Sequence, residues 1–296
     1  MFGSDLVTEL SPFYEVCGLG RKVNRHSHIS YVQTDITDRS AVFDAIASIK
    51  PTVIIHTAAF TDADSCELDP PHTFLLNTTA TEWIAKAGDL CGATLFFISS
   101  DYVFDGTKSS PYNEGDAPNP LNVYGHSKFA AEKFLQSDCE SAWIIRVPWL
   151  FGANGRNFFH TIMRAAARGE TLRVVDDKKG APTYTKDLAK AFRTLIVETN
   201  RSKGCHIYHL ANEGVTTWFR AAKELLKKMN STVKLIPITS KELNRPAKRP
   251  INSVFDLSRM KRDFGITLPP WEDSFNQFWS EILEPEWQSL VKSHSH

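Results

Sequence analysis

Short apolar runs alternate with longer amphipathic stretches through the first half of the chain, and this alternation limits the fold more than any other feature of the sequence. The runs are rich in β-branched and aromatic residues, which is typical of strands buried on both faces of a parallel sheet. Predicted strands cover residues 14–19, 29–33, 52–57, 94–99 and 141–147, and predicted helices cover 4–10, 40–49, 71–91 and 122–136. Such alternation builds right-handed βαβ units, so the sequence predicts an α/β fold with a Rossmann-like, doubly wound parallel sheet.

The pattern becomes less regular after about residue 150. Helical patterns at residues 158–168, 186–198, 217–229 and 273–283 are interleaved with a short strand at 207–210 and with proline-rich loops. We therefore expect residues 1–150 to form a Rossmann-like domain that binds a dinucleotide. Residues 151–296 are expected to form a smaller substrate-binding lid, partly interleaved with the first domain.

Composition and charge exclude several classes of function. The 34 basic and 34 acidic residues balance, which removes the electrostatic argument for a nucleic-acid or membrane-surface partner. No apolar run approaches the roughly 20 residues of a membrane span, and the first ten residues lack the basic region of a signal peptide. The five cysteines stand singly, and the ten histidines show no metal-ligand spacing. The sequence predicts a cytoplasmic protein with reduced thiols and no metal.

The first residues resemble only the end of a phosphate-binding loop. A Rossmann domain begins with a buried strand that runs into a glycine-rich loop, and the next helix holds the pyrophosphate at its N-terminus. Here Gly3 matches the last glycine of such a loop, and the helical pattern follows directly. We expect the first strand to be missing from this sequence. A truncated start and a natural loss of cofactor binding both remain open.

The strand predicted at residues 14–19 corresponds to the second strand of a complete Rossmann domain. The residues that follow it indicate which cofactor would bind. Enzymes that bind NAD usually place an acidic residue there, which accepts hydrogen bonds from the ribose. This chain has Arg21 and Lys22 instead, and a guanidinium binds phosphate oxygens bidentately. The pair favours NADP(H) over NAD(H), although a solvated basic turn would have the same sequence.

Two further strand ends are candidates for cofactor contacts. Asp35 and Ile36 follow the strand predicted at residues 29–33. A carboxylate there can accept a hydrogen bond from the adenine amino group, and an apolar side chain can cover the face of the adenine ring. Ala58, Ala59 and Thr61 follow the next strand, and small residues there let the backbone approach the cofactor closely. Tight packing of helix on sheet would use the same small residues.

The strongest chemical signal is a tyrosine and a lysine four residues apart at the start of a predicted helix. Tyr124 and Lys128 lie on one helical face, so the ammonium can favour the phenolate and lower the tyrosine pKa, making it a general acid. Ser100 ends the strand before and would stabilise charge on a carbonyl oxygen as hydride arrives. A tyrosine and a lysine on an exposed helix often have this spacing by chance. The position of Ser100 at a strand end and the surrounding Rossmann pattern favour a catalytic role for the pair.

Several segments together carry a family resemblance. They are TAAFTDADSCE (57–67), LNTTAT (76–81), ISSDYVFDG (98–106), PLNVYGHSK (120–128), RVPWLFG (146–152), RNFFHTIM (156–163), GAPTYTKDLA (180–189) and RPINS (249–253). This combination resembles the dTDP-4-dehydrorhamnose reductases, which are extended short-chain dehydrogenases. The resemblance spans nearly the whole chain after residue 3 and implies reduction of the C4 ketone of dTDP-4-dehydrorhamnose with NADPH or NADH, in nucleotide-sugar and polysaccharide biosynthesis.

The resemblance also implies roles for individual residues. It makes Ser100, Tyr124 and Lys128 catalytic, with Tyr124 protonating the sugar oxygen. Tyr124 and Lys128 are also expected to contact the cofactor, Lys128 through the nicotinamide ribose. The substrate-binding residues that it implies are Ser100, Asp101, Tyr102, Trp149, Asn157 and Arg249. Asn77 would support the active-site lysine; core packing is the alternative for Trp149 and helix packing for Asn77. A homodimer is a further expectation, because dimers are common among the relatives.

Two other functions fit parts of the sequence. The same resemblance includes the non-catalytic β subunit of methionine adenosyltransferase, which binds NADP and docks to an enzyme, and the incomplete phosphate loop is compatible with that function. A nucleotide-sugar epimerase or dehydratase is the second alternative. Dehydratases of this superfamily usually place two acids after the strand-end hydroxyl, whereas here only Asp101 is acidic and Tyr102 follows it.

Overall fold

The computed structural model describes residues 1–22, 28–199 and 203–293. The strands are β1 Cys17–Gly20, β2 Ser30–Gln33, β3 Val53–His56, β4 Thr94–Ser100, β5 Ser141–Val147, β6 Leu150–Phe151, β7 Leu172–Val175, β8 Lys179–Gly180, β9 Thr183–Tyr184, β10 Gly204–His209, β11 Thr216–Thr217 and β12 Leu235–Ile238. The helices are α1 Phe2–Leu10, α2 Arg39–Ile49, α3 Ala63–Leu68, α4 Pro70–Phe74, α5 Ala80–Leu90, α6 Val123–Asp138, α7 Phe158–Ala167, α8 Thr185–Thr199, α9 Trp218–Lys228, α10 Ser240–Leu243, α11 Ser258–Phe264, α12 Trp271–Phe278 and α13 Glu284–Ser293.

The central sheet contains four parallel strands in the order β10-β5-β4-β3. Its strands are apolar along their length, and Phe96 of β4 lies opposite Trp143 of β5 in the register. One face packs against α1 and α8 through a core that includes Leu6 and Phe192. The other face packs against α2, α5 and α6 through a core that includes Ile84. Helices on both faces of a parallel sheet confirm the predicted doubly wound fold.

The strands β1 and β2 pair with each other in parallel and form a sheet of their own. The described residues place no strand between β1 and β3. A cleft of about 170 Å³ lies there instead, and its walls include Leu19 of β1, Ile55 of β3 and Ile46 of α2. The cleft therefore separates the β1-β2 pair from the central sheet.

The second half of the chain builds its own core but also contributes to the central sheet. Helices α7, α9 and α12 pack with β7 around Phe159, Leu225 and Phe275. Strand β10, however, extends the central sheet by pairing in parallel with β5. The predicted division at residue 150 is not tested by these contacts and stays a prediction, but the two halves are interleaved.

Several element bounds differ from the sequence prediction. The strand predicted from residue 14 begins at Cys17, because α1 ends in a turn in which the Tyr14 amide donates to the Leu10 carbonyl. The single helix predicted over 71–91 is divided by a π-helical turn at Leu75–Thr79. The helix predicted over 273–283 contains a second such turn at Trp279–Leu283 and continues as α13. No described helix is both long and apolar enough to cross a membrane.

Candidate active site

The predicted catalytic residues meet at the carboxyl end of the central sheet. Strand β4 ends at Ser100 and passes into a 3₁₀ turn, Asp101–Val103. The first turn of α6 packs closely against this 3₁₀ turn. A Cβ atom added at Gly125 would lie only 2.2 Å from the Tyr102 carbonyl oxygen, so the contact requires a glycine. Asn122 caps α6 by accepting a hydrogen bond from the Gly125 amide at 2.8 Å. This close packing brings Tyr124 to Ser100.

The hydroxyl of Ser100 stands at the centre of a small polar group. It donates to Asp101 Oδ1 at 3.0 Å and accepts from the Tyr102 amide at 3.2 Å. It also interacts with the phenol of Tyr124, which lowers the pKa of that phenol. The rings of Tyr102 and Tyr124 meet edge to face with their centroids 5.6 Å apart. Of the predicted site residues, the structure thus brings together Ser100, Asp101, Tyr102 and Tyr124.

The pKa of Tyr124 does not follow the sequence prediction. Burial raises the pKa of Tyr124 above its ordinary value, and the negative charge of Asp101 acts in the same direction. Lys128 is not among the main groups that shift this pKa, so the lowering effect expected of its ammonium stays a prediction. The Lys128 ammonium lies 3.9 Å above the centre of the Phe97 ring. Burial lowers the pKa of Lys128 to about 7, although the charge of Glu132 opposes the shift.

A buried ion pair lies one turn of α6 beyond Lys128. Glu132 accepts from Arg146 Nε at 2.9 Å and from Nη2 at 2.6 Å, and its side chain and that of Arg146 are almost fully enclosed. The Ser99 hydroxyl donates to the same carboxylate at 2.5 Å. Together these bonds join α6 to β4 and β5 directly below the catalytic residues.

Cationic groups from the C-terminal half form another wall of the site. Arg249 donates to both carboxylate oxygens of Asp64, at 3.0 and 2.9 Å, and interacts with the phenol of Tyr102. The Lys178 ammonium donates to the Arg249 carbonyl oxygen at 2.8 Å. Burial lowers the pKa of Lys178 to about 8, and the charge of Arg249 adds to the effect. The predicted residue Arg249 thus reaches the site through Tyr102.

Trp149 is held in an unusual backbone conformation. Its φ is 40°, in the left-handed region that bulky residues rarely adopt. Its indole stacks on Trp218 with the ring centroids 3.9 Å apart and lies against Gly180, where a Cβ would be 2.6 Å from the ring. The residue is only partly buried, and substrate binding by Trp149 stays a prediction.

The two predicted asparagines have structural partners. Asn157 caps α7 by accepting from the His160 amide at 3.2 Å, and it donates to the Gly152 carbonyl at 2.8 Å. Asn77, in the π-helical turn, exchanges two hydrogen bonds with the backbone of Phe60 and donates to Ser127 at 3.0 Å. Asn77 therefore joins the loop after β3 to α6 next to Lys128; substrate binding by Asn157 stays a prediction.

The predicted cofactor residues line the same end of the sheet. A Cβ at Gly3 would lie 3.0 Å from Thr57 Oγ1, so the first turn of α1 approaches the end of β3 closely. Arg21 is exposed and lies 3.9 Å from Asp35, whose carboxylate also accepts from the Thr37 amide at 3.0 Å, a bond that lowers the Asp35 pKa. Ile36 and Ala58 line the cleft, Ala59 is half-buried, and Lys22 and Thr61 are exposed.

This arrangement fits a dinucleotide. The N-terminus of α1 lies at the carboxyl end of β3, where partial positive charge suits a pyrophosphate. Gly3, which has no side chain, packs closely on Thr57 at this end of the sheet, and the exposed Arg21 offers a guanidinium for a further phosphate. Among the described residues, no group of three or more His, Cys, Asp or Glu side chains is arranged to hold a metal ion.

Sequence reasoning missed several residues that shape the site. Asp64 holds Arg249, Phe97 carries the Lys128 ammonium, and Trp218 supports Trp149. The two members of each pair are far apart in sequence, so no local spacing predicts their contact. One missed pair did have a signal, because Arg146 stands within the apolar run of β5 and a buried guanidinium requires an acid.

A Rossmann-type sheet with a serine, a tyrosine and a lysine at its carboxyl edge defines an oxidoreductase of the short-chain dehydrogenase class. Residues 1–283 match the family described as "RmlD substrate binding domain", and the chain belongs to that family.

Named relatives support this assignment. The chain is 36% identical over 258 residues to the dTDP-4-dehydrorhamnose reductase of Salmonella typhimurium, covering 84% of this chain and 86% of the relative. It is 34% identical over 274 residues to that of Escherichia coli, covering 90% and 91%. The crystal structure of the Bacillus anthracis dTDP-4-dehydrorhamnose reductase in complex with NADP superposes with a TM-score of 0.82 at 30% identity, covering 91% of this chain and 100% of that one.

Proposed function

We propose that this chain is an NADPH-dependent reductase that converts dTDP-4-dehydrorhamnose to dTDP-L-rhamnose by reducing the C4 ketone. The observation that carries the proposal is the meeting of Ser100 and Tyr124 at the carboxyl end of β4, with Lys128 one helical turn beyond Tyr124 on α6. The names of the relatives and the NADP complex of the Bacillus anthracis reductase support the same reaction.

The side chains of the site have distinct tasks in such a reduction. The chemistry that bound NADPH supplies is a hydride for the carbonyl carbon. The Ser100 hydroxyl orients the ketone by donating to its oxygen, and Tyr124 gives its phenolic proton to that oxygen as negative charge develops there. The aromatic faces of Tyr102 and Trp149 flank the sugar and exclude water.

The cofactor would be bound by residues along the edge of the sheet where the parallel strands have their carboxyl ends. Lys128 would bind the nicotinamide ribose, and the first turn of α1 at Gly3 would face the pyrophosphate. Arg21 and Lys22 would bind a 2′-phosphate, which is why NADP(H) is preferred and NAD(H) is the alternative. A cytoplasmic location and a homodimer belong to the same proposal.

The first experiment is a titration of the purified chain with NADPH and with NADH, followed by nucleotide fluorescence and by the thermal midpoint. A ligand that binds only the folded chain raises the midpoint by mass action. We expect NADPH to bind more tightly than NADH, and the chain to oxidise NADPH when dTDP-4-dehydrorhamnose is added.

Removal of the phenolic proton tests the assigned chemistry directly. Tyr124→Phe should lower kcat by about 10²–10⁴-fold, the usual contribution of a general acid, and leave NADPH affinity unchanged. Tyr208→Phe is the matched control, because its hydroxyl bonds Asp263 on α11 and takes no part in the site. A Tyr124→Phe variant as active as the parent would show that the acid has been wrongly assigned.

One observation favours a second candidate function. The cleft between β1 and β3 reaches Thr57, which lies against Gly3 of α1, at the end of the sheet where the phosphates would bind. A chain that bound neither nucleotide and reduced no keto sugar would be better explained as a non-catalytic member of the superfamily that acts through a protein partner.

A further inference from the structure

Asp101 is a buried acid with only part of its hydrogen-bonding capacity used. The residue is 2% exposed, and its Oδ1 accepts from Ser100 Oγ at 3.0 Å. Its Oδ2 is buried and has no partner at normal hydrogen-bond geometry among the described residues, although the Ser253 hydroxyl is near enough to lower the pKa of the carboxyl group. An ionised carboxylate pays a large desolvation penalty for an unpartnered oxygen, whereas a protonated carboxyl group loses much less. The surroundings of Asp101 therefore make its neutral acid form more accessible than that of an exposed aspartate.

The groups that face Asp101 do not remove this effect. Burial raises the pKa of Asp101 to about 6, and the hydroxyls of Ser253 and Ser100 only partly oppose the shift. The Asp101 charge acts on the Lys178 ammonium, which already bonds the Arg249 carbonyl oxygen. The phenols of Tyr102 and Tyr124 face the carboxyl from its own turn and from α6, and both are neutral.

The Ser100 hydroxyl connects this acid to the phenol that the reaction deprotonates. Ser100 Oγ bonds the Asp101 carboxyl on one side and interacts with Tyr124 on the other. The Lys128 ammonium, in contrast, lies against the Phe97 ring. Resting on the proposed reductase function, we infer that Asp101 is the proton reservoir of the site and returns a proton to Tyr124 through Ser100 during each turnover.

The proton balance of this relay is simple. Hydride addition and the Tyr124 proton convert the ketone to an alcohol and leave a tyrosinate. The Ser100 hydroxyl then gives its proton to the tyrosinate and takes one from Asp101, so the O–H bond of Asp101 breaks and that of Tyr124 forms. Asp101 ends as a carboxylate and regains a proton from water when the product leaves. No electrons move in these steps beyond the hydride pair.

The relay predicts a particular pH dependence of kcat. Because Asp101 donates only when protonated, kcat of the parent should fall as the pH rises through about 6. Asp101→Asn keeps the size and the Oδ1 acceptor but carries no proton to give, so its kcat should be about tenfold or more lower at pH 6 and should lack this pH limb. Ser100→Ala should lose the same limb, and Ser100→Thr, which restores a hydroxyl, should keep it.

Infrared spectroscopy tests the protonation of Asp101 without any turnover. The parent should show a carboxylic-acid C=O band that disappears as the pH rises through about 6 and is missing from Asp101→Asn. Absence of this band overturns the inference, and so does an active Asp101→Asn variant with the pH profile of the parent. A parent that binds NADPH but reduces no dTDP-4-keto sugar overturns the proposed function itself and the relay with it.

Discussion

The ammonium of Lys128 lies 3.9 Å from the centre of the Phe97 ring in a place that water hardly reaches. The ring face attracts the cation, and the charge of Glu132 does too, yet burial still lowers the Lys128 pKa to about 7. A lysine on a solvated helix face would remain fully charged. The position thus costs stability and places an amine, charged or neutral, in the buried interior one helical turn beyond Tyr124.

This cost is measurable because it depends on pH. The folded pKa of Lys128, about 7, lies below its ordinary value of 10.5, so the unfolded chain binds more protons between these values and stability rises with pH across that window. We expect Lys128→Met to raise the free energy of unfolding at pH 6 by on the order of 2–4 kcal/mol, and by less at pH 10, while activity is lost.

Urea unfolding at the two pH values checks this prediction. Lys133→Met is the matched control, since Lys133 lies on the same helix above the Phe129 ring but is exposed. Its effect should stay within about 0.5 kcal/mol. A Lys128→Met variant that is less stable than the parent at pH 6 would show that burial of the Lys128 ammonium does not destabilise the fold.

Helix α6 owes its position to polar contacts at its start and in its second half. The Asn122 cap and the Glu67 carboxylate, which accepts from the Val123 amide at 2.7 Å, fix where the helix begins. The ion pair of Glu132 with Arg146 fixes it against β5. An element anchored in this way holds Tyr124 at a constant distance from the end of β4, which is what proton transfer requires.

Breaking the ion pair of Glu132 with Arg146 should strongly lower the stability of the fold. Glu132→Gln leaves the Arg146 guanidinium buried without a counter-charge, and we expect it to lower the free energy of unfolding by about 3–5 kcal/mol, measured by urea denaturation. Glu170→Gln serves as the control, because it breaks an exposed pair with Arg168 and should cost at most about 1 kcal/mol. Equal effects of the two substitutions would show that the buried pair does not anchor α6.

Across the whole molecule, stability is expected to be uneven. The four strands of the central sheet share continuous parallel pairing, with cores on both faces. Strands β1 and β2 share no pairing with that sheet among the described residues, and the cleft separates them from β3. The part of the chain that would bind the adenosine end of the cofactor is therefore less firmly connected than the catalytic part.

Hydrogen exchange should reveal this difference. Amides of β1 and β2 should exchange in a local opening that costs far less than global unfolding, whereas amides of β4 and β5 should require nearly complete unfolding. Peptide-level mass spectrometry distinguishes the two classes, and saturating NADPH should slow exchange in β1 if the nucleotide binds there. Equal protection of the two sheets would contradict the prediction.

Much of the fold and part of the site followed from local sequence. Uninterrupted apolar runs predicted the parallel sheet, because only strands covered on both faces bury such runs fully. Tyr124 and Lys128 could be paired because residues four apart share a helix face, and Ser100 because a strand end is recognisable. Element bounds were less certain, since the π-helical turn at Leu75–Thr79 leaves no pattern in the sequence.

The sequence by itself determined the class of fold and which side chains can meet at the end of β4, since periodicity and short spacings are local properties of the chain. Only the tertiary structure decided how those side chains behave. The direction of the Lys128 ammonium, the raised pKa of Tyr124 and the unpartnered oxygen of Asp101 depend on burial and on neighbours such as Phe97 and Ser253. Burial is set by elements distant in sequence that exclude water together, and no local pattern encodes it.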